Sequence, residues 1–399
     1  MTNNAEHPVG NRAVVIGGGI AGLAAAASLV RSGWRVQVLE AASANTEVGA
    51  GLAVTENGRR ALAAIHADDC LARDGFRISP AGTQAPNGDW LIRLPEGNSS
   101  SAAMHGIHRR RLHQALAIAA SGAEIMTGAR ALNVAPGDET HPAVVTARTA
   151  DGEIKLTADL VVGADGVRSM TRSALWPEHH VVASGYTSGR AVIHDTEIVS
   201  DRFAMTWGPQ SEFGALRIRE DEVYWYAYVK HPANTPFPDE LAAVTARFGD
   251  WHEDVRALIM ATPADQLIRH DVWLLDHPLP SYAKGRVVVI GDAAHPMLPT
   301  MGQGANSALE DGVSIGRIVP SNTRDVPAAL REYDLLRRPR TAGLVTQSAM
   351  MARFGAHLGP GLRQQLRNLA LRLAPAGAAQ RSGSKFLDWT VPPLGGAQK

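Results

Sequence analysis

Apolar positions along this chain change their period several times, and each change marks an element. Arg12–Ile16 is a short β-branched run, Ile20–Arg31 repeats small apolar residues, and Val36–Leu39 is apolar again and ends in Glu40. That order predicts a strand, a helix and a second strand. Beyond it, Glu47–Val54 reads as a glycine-bearing extended segment, followed by a helix to about Ala67 that Thr55 or Asn57 can cap. Arg77 to Leu94 reads as a β-hairpin around Pro86-Asn87-Gly88-Asp89. An amphipathic helix opens at His108-Arg109, and short alternating strands run through Leu156. Leu160–Gly163 is a further apolar strand, with a tight turn and a helix start by Ser169. From Val181 to Leu275 the period is mostly two, which predicts an antiparallel sheet, with one helical insertion from Pro238 to Met260. Arg286–Ile290 returns to a buried strand, Met297–Gly304 is a loop, and Ala305 to Ile318 is helical. From Val326 the chain is helical and rich in alanine and arginine, with a Pro/Gly tail after Asp388 expected to fray.

The fold class that follows is α/β. A Rossmann-like dinucleotide-binding domain, residues 1–76, 103–180 and 276–325, is interleaved with a β-rich substrate domain, residues 77–102 and 181–275. Residues 326–399 form a C-terminal helical region.

Composition narrows the class without changing it. The 39 basic and 39 acidic residues balance, so no nucleic-acid or membrane partner is expected, and Arg110 and Arg111 read as a solvated helix face. Cys70 is the single cysteine, which excludes an internal disulfide and a cysteine-based metal site; no metal is expected. Met1–Gly10 is polar without a basic signal-like start, and no apolar run reaches the roughly 18 residues of a spanning helix. A cytoplasmic protein, monomeric or homodimeric, is the expectation.

The chemistry concentrates in glycines. Gly17 permits the turn out of the first strand, Gly19 lets the backbone approach a pyrophosphate, and Gly22 lets the helix pack closely. The phosphates would sit at the helix N-terminus, on Ile20 and Ala21, and Glu40 is spaced to accept from an adenosine ribose hydroxyl. Two further motifs follow: Gly163-Ala164-Asp165-Gly166-Val167-Arg168-Ser169, and Gly291-Asp292-Ala293-Ala294-His295-Pro296 with Pro299 and Gly302-Gln303-Gly304-Ala305-Asn306. His295 reads as structural, being part of a motif that serves the cofactor.

Together, in this order, the three motifs resemble the group A flavoprotein monooxygenases of the para-hydroxybenzoate hydroxylase fold, nearest to salicylate- and urate-hydroxylase-like members, over about residues 12 to 345. The resemblance implies FAD as the dinucleotide and NADPH or NADH as co-substrate. It implies Glu40 on the adenosine ribose, Arg109 against the FAD, and Asp165 near both the pyrophosphate and the docked nicotinamide. Asp292 would hold the ribityl chain, Pro299, Gly302, Gly304, Ala305 and Asn306 would run beside the isoalloxazine, and Gly49 to Gly51 would flank its other side. The reaction implied is hydroxylation of a small or natural-product aromatic substrate by O2 through a C4a-hydroperoxyflavin. His105, His194, Tyr226 and Tyr228 are candidate bases, and Arg190 and Arg217 could orient a carboxylate or phenolate; His194, Tyr226 and Arg190 are singled out as catalytic. A flavin epoxidase or Baeyer–Villiger oxygenase on the same scaffold differs by product mass. A flavoprotein oxidase or reductase would insert no oxygen, and an inactive flavin-binding scaffold would not be reduced.

Overall fold

The parallel strands that the glycine motifs follow are continuous apolar runs, as strands covered on both faces require. In this computed structural model, which describes residues 11–43, 50–95, 103–194, 198–374 and 386–395, they lie side by side. The six-stranded sheet has the order 283–284, 287–289, 160–163, 12–16, 35–40, 124–127, parallel except for its first pair. The helix Ile20–Arg31 packs on this sheet and against the helix Gly304–Ile318, buried almost throughout, whose Gly312 lies against Ala24 and Ala25. A small antiparallel sheet carries strands 130–135, 143–149 and 152–158.

The second large sheet has nine strands among the described residues. Its order is 268–275, 181–193, 222–230, 211–219, 202–208, 75–84, 104–108, 51–54, with Trp90–Arg93 paired to 75–84 as the expected hairpin. It departs from the antiparallel expectation at one place, where 202–208 runs parallel to 75–84. The reason is topological: those strands come from segments more than a hundred residues apart and are joined by no hairpin. The insertion after Pro238 is two helices, Glu240–Phe248 and Glu253–Met260, whose apolar faces cover Trp225 and Phe213 on the sheet's outer side.

Three local expectations change. Asn57 is not a cap: Thr55 occupies the position before the helix Glu56–Ala64, and Asn57 is buried, donating to Gln303 and Glu310. Arg111 is not a solvated face residue, because it makes a bidentate pair with Glu222 at 2.7 Å. The described part of the tail after Asp388, residues 389–395, is anchored rather than frayed. Trp389 is buried, and Arg60 and Arg317 donate to the carbonyls of Trp389 and Pro392 while Arg340 holds that of Phe386. A Pro-rich segment has few backbone donors, so carbonyls held by arginines replace the missing ladder.

The C-terminal helices are Val326–Phe354 and Leu362–Leu373. Among the described residues no helix is long and apolar enough to cross a membrane.

Candidate active site

A cavity of about 990 Å³ runs between the two large sheets. One end is built by the first motif. Gly17 has φ +104°, a left-handed value that L side chains rarely adopt, and a Cβ there would overlap the Ala164 carbonyl. A Cβ on Gly22 would overlap the carbonyl of Gly17, so the helix can approach the strand only with glycine there. Gly19 differs: nothing lies within 4 Å of its Cβ direction, and it lines the cavity with Ile20 and Ala21. The helix they open has no side-chain cap and no acid in its first turn, so its N–H groups and dipole are left for an anion. Glu40 sits beside this turn, accepting from the N–H of Gly18 and of Ala42 at 2.7 Å each.

The middle of the cavity is built by the third motif. Asp292, Pro299, Gly302, Gly304 and Ala305 all line it, and the helix Gly304–Ile318 also begins there without a side-chain cap or an early acid. Asp292 opens into the cavity but lies deep in the molecule, and burial pushes its carboxyl above the ordinary range. Gly51 and Arg109 line the opposite side. Gly49 lies outside the described residues.

A buried ionic cluster holds this motif in place. Asp311 accepts from the Gly291 N–H at 2.9 Å and pairs with His295 at 2.5 Å and Arg337 at 2.7 Å. Its carboxyl is held well below the usual range: the penalty of burial is overcome by the charges of His295 and Arg337. Glu310 takes Arg337 and Arg340 and also the amide of Asn57. Asn306 does not face the cavity; its amide bridges Gly302 and Ala53 and accepts from the Thr55 N–H, bracing loop to strand. Asp165 is likewise turned away, because its carboxylate accepts from Ser169, the Thr171 N–H and the Thr171 hydroxyl at the start of the helix Met170–Leu175; its neighbours Ala164 and Gly166 line the cavity instead.

The far end belongs to the nine-stranded sheet. Arg190 and Tyr226 line it, as do Tyr224, Trp207, Phe203 and Met205. His194 does not reach it. It lies exposed just past the end of the strand 181–193, four residues and roughly 13 Å beyond Arg190 at the usual strand rise. His105 is on the strand 104–108 next to cavity-lining Met104 and so points to the other face; Tyr228 bonds His357 under the helix end, and Arg217 donates to the Val199 carbonyl.

Sequence reasoning missed Glu212. It is 2% exposed, accepts the Tyr226 hydroxyl at 2.7 Å and the Trp207 indole N–H at 2.9 Å, and no cation pairs with it among the described residues. Burial pushes its carboxyl up to about 7 against the pull of those two hydrogen bonds. Strand register explains the geometry. Gly214 pairs opposite Tyr226, and because it has no side chain the Tyr226 ring leans across it to reach Glu212; a Cβ at 214 would lie 2.6 Å from that ring. The available signal was an acid at 212 sharing a strand face with Gly214, Leu216 and Ile218.

Two uncapped helix ends on one cavity, a glycine turn that leaves Gly19 open, and Asp292 opening into the cavity between them fit a flavin dinucleotide. Comparison with known proteins agrees. The family model described as an FAD binding domain matches residues 11–348. Aurachin C monooxygenase/isomerase of Stigmatella aurantiaca is 34% identical over 86% of this chain and 89% of its own, and 3-amino-4-hydroxybenzoate 2-monooxygenase of Streptomyces cremeus is 34% identical over 86% of each. Among solved structures, Klebsiella pneumoniae HpxO complexed with FAD and uric acid superposes with a TM-score of 0.82 at 24% identity, covering 94% of this chain and 96% of that one. A salicylate hydroxylase substrate complex gives 0.72 at 23% identity over 94% and 98%. The chain belongs to the FAD-binding-domain family of group A aromatic monooxygenases.

Proposed function

We propose that this protein is an NAD(P)H- and O2-dependent hydroxylase of an electron-rich aromatic substrate with an apolar body. The observation that carries the reading is the single cavity joining the two uncapped helix ends to Tyr226 and Arg190 on the second sheet. FAD, when bound, supplies the redox and oxygen chemistry. The chain supplies the rest. Gly17, Gly19 and Gly22 shape the turn, Ile20 and Ala21 offer N–H groups to the pyrophosphate, and Glu40 accepts from the ribose. Asp292 and Arg109 hold the ribityl and ring portion, with Gly51 on one side and Pro299, Gly302, Gly304 and Ala305 on the other. The open helix end at Gly304 favours negative charge there. Asp165 and Asn306 act one step back, by fixing the turn and the loop. In this reading residues 1–76, 103–180 and 276–325 bind the cofactor, while 77–102 and 181–275 face the substrate; the strands 51–54 and 104–108 form the seam.

Tyr226 and Arg190 orient the substrate's polar edge. With Glu212 ionised, the Tyr226 hydroxyl donates inward and leaves its lone pairs to accept a substrate O–H or N–H. With Glu212 protonated, the carboxyl can donate to Tyr226, and Tyr226 becomes a donor to the substrate. Phe203, Met205 and Trp207 leave the far end apolar, suited to excluding water and holding a hydrophobic substituent. Relatives named for aromatic compounds support an aromatic substrate, and one, a 2-heptyl-3-hydroxy-4(1H)-quinolone synthase of Pseudomonas aeruginosa that is 32% identical over 92% of this chain, is named for a ring bearing an apolar heptyl chain.

The test is anaerobic bleaching of bound flavin by NADPH or NADH, with and without aromatic compounds of increasing apolar bulk. Reduction by one nucleotide, faster with an apolar-substituted phenol or quinolone, is expected. No bleaching with either nucleotide overturns the reading.

A further inference from the structure

One element shows its polarity reversed. The helix Leu362–Leu373 turns Gln364, Arg367 and Asn368 toward the protein, while Leu362, Leu366, Leu369 and Leu373 stand 55% to 75% exposed at spacings of four, three and four. Its arginines make the inward contacts: Arg367 donates to the Phe354 carbonyl and stacks over the Trp207 ring at 5.4 Å, and Arg372 pairs with Asp89 at 3.0 Å. Phe354, beside it, is 60% exposed. So long an apolar stripe on the outside of a helix needs a cover.

Charge says what kind. Although the whole chain is neutral, the segment from Leu335 to Leu387 contains no Asp or Glu; Arg337, Arg338 and Arg340 at its start are spent on Glu310, Asp311 and Asp334, which leaves the arginines near the helix as its surface charge. Arg353 and Arg363 are exposed beside the leucine stripe, while Arg372 is held by Asp89. Leucines flanked by exposed arginines on a helix that carries no acid of its own match an anionic lipid surface, into which the leucines insert while the guanidinium groups meet phosphate. A second copy of the chain fits less well. The helix has 12 residues, about 18 Å, and such a contact falls short of the roughly 800 Å² per partner of a stable interface. Two copies would also bring like charges together.

We propose that the helix Leu362–Leu373 docks this protein on anionic membrane surfaces. Docking there sets the apolar end of the cavity next to lipid, since the helix packs on the strand Trp90–Arg93, whose Ile92 lines the cavity, and its Arg367 covers cavity-lining Trp207. An apolar aromatic substrate concentrates in that phase. The neutral net charge, from which no membrane partner is expected, averages over this local asymmetry.

The experiment is co-sedimentation of the FAD-loaded full chain with phosphatidylcholine vesicles and with vesicles containing phosphatidylglycerol, at low and high salt. Its variant is L366Q/L369Q, which touches only exposed positions and should leave melting temperature and flavin content unchanged. At least about tenfold more binding to the phosphatidylglycerol vesicles, weakened by salt and lost in the variant, is expected. Wild-type protein left in the supernatant with both vesicles overturns the proposal, as does undiminished binding by the variant. A stable dimer that the variant converts to monomer, without vesicle binding, overturns it in favour of a second copy.

Discussion

Glu212 is a buried acid whose only described partners are two neutral donors, and that fixes how it must respond to pH. Its folded-state pKa, about 7, lies above the ordinary 4.5, so its contribution to stability is fully present below about pH 4.5 and is lost as pH rises through 7. Glu212→Gln removes that loss. Melting curves from pH 5 to 8 should show the variant gaining on wild type by up to about 3 kcal/mol at the alkaline end; curves that stay parallel would contradict a raised carboxyl. The glycines divide in the same residue-level way. Gly22→Val meets the Gly17 carbonyl and should cost the fold, whereas Gly19→Val enters open cavity and should give a folded, colourless protein. A yellow, fully loaded Gly19→Val protein would refute the phosphate cradle. These glycines were legible because a left-handed turn and a close approach leave a mark in residue type. Glu212 was not, because its partners follow from the register that sets Gly214 opposite Tyr226.

Among elements, the helix Gly304–Ile318 does the most positioning: one end opens on the cavity, and its middle carries the buried Glu310 and Asp311. Arg337, from the long helix Val326–Phe354, neutralises both with bonds of 2.6 and 2.7 Å. Arg337→Met strands two buried carboxylates and should lower urea stability by about 3–5 kcal/mol; a loss under about 1 kcal/mol would mean that Arg340 and His295 suffice. The helix itself was readable from its periodicity. The cluster was not, since it gathers His295, Glu310 and Asp311, Arg337 and Arg340, and the distant Asn57 from four separate segments whose packing leaves no local pattern. The anchored tail was misread for a related reason: Pro and Gly after Asp388 signal fraying when backbone ladders are counted, but here arginine side chains supply the donors.

At the scale of the molecule, interleaved segments return twice to the six-stranded sheet, and this places the cofactor motifs along one side of a cavity whose other side is the nine-stranded sheet. The α/β layout and the family were legible because the three motifs sit at strand ends, where ligands of open α/β sheets bind. The parallel pairing of 202–208 with 75–84, and the cavity wall it creates, was not: long-range pairing leaves no local pattern. In the proposed reaction this shared cavity lets one atom of O2 pass to an aromatic substrate. Product mass after turnover with NAD(P)H under 18O2, using whichever aromatic compound speeds flavin reduction, reads that transfer without an intermediary. Incorporation of one 18O atom into the ring is the expected result. Consumption of NAD(P)H with peroxide formed and no labelled product would contradict it.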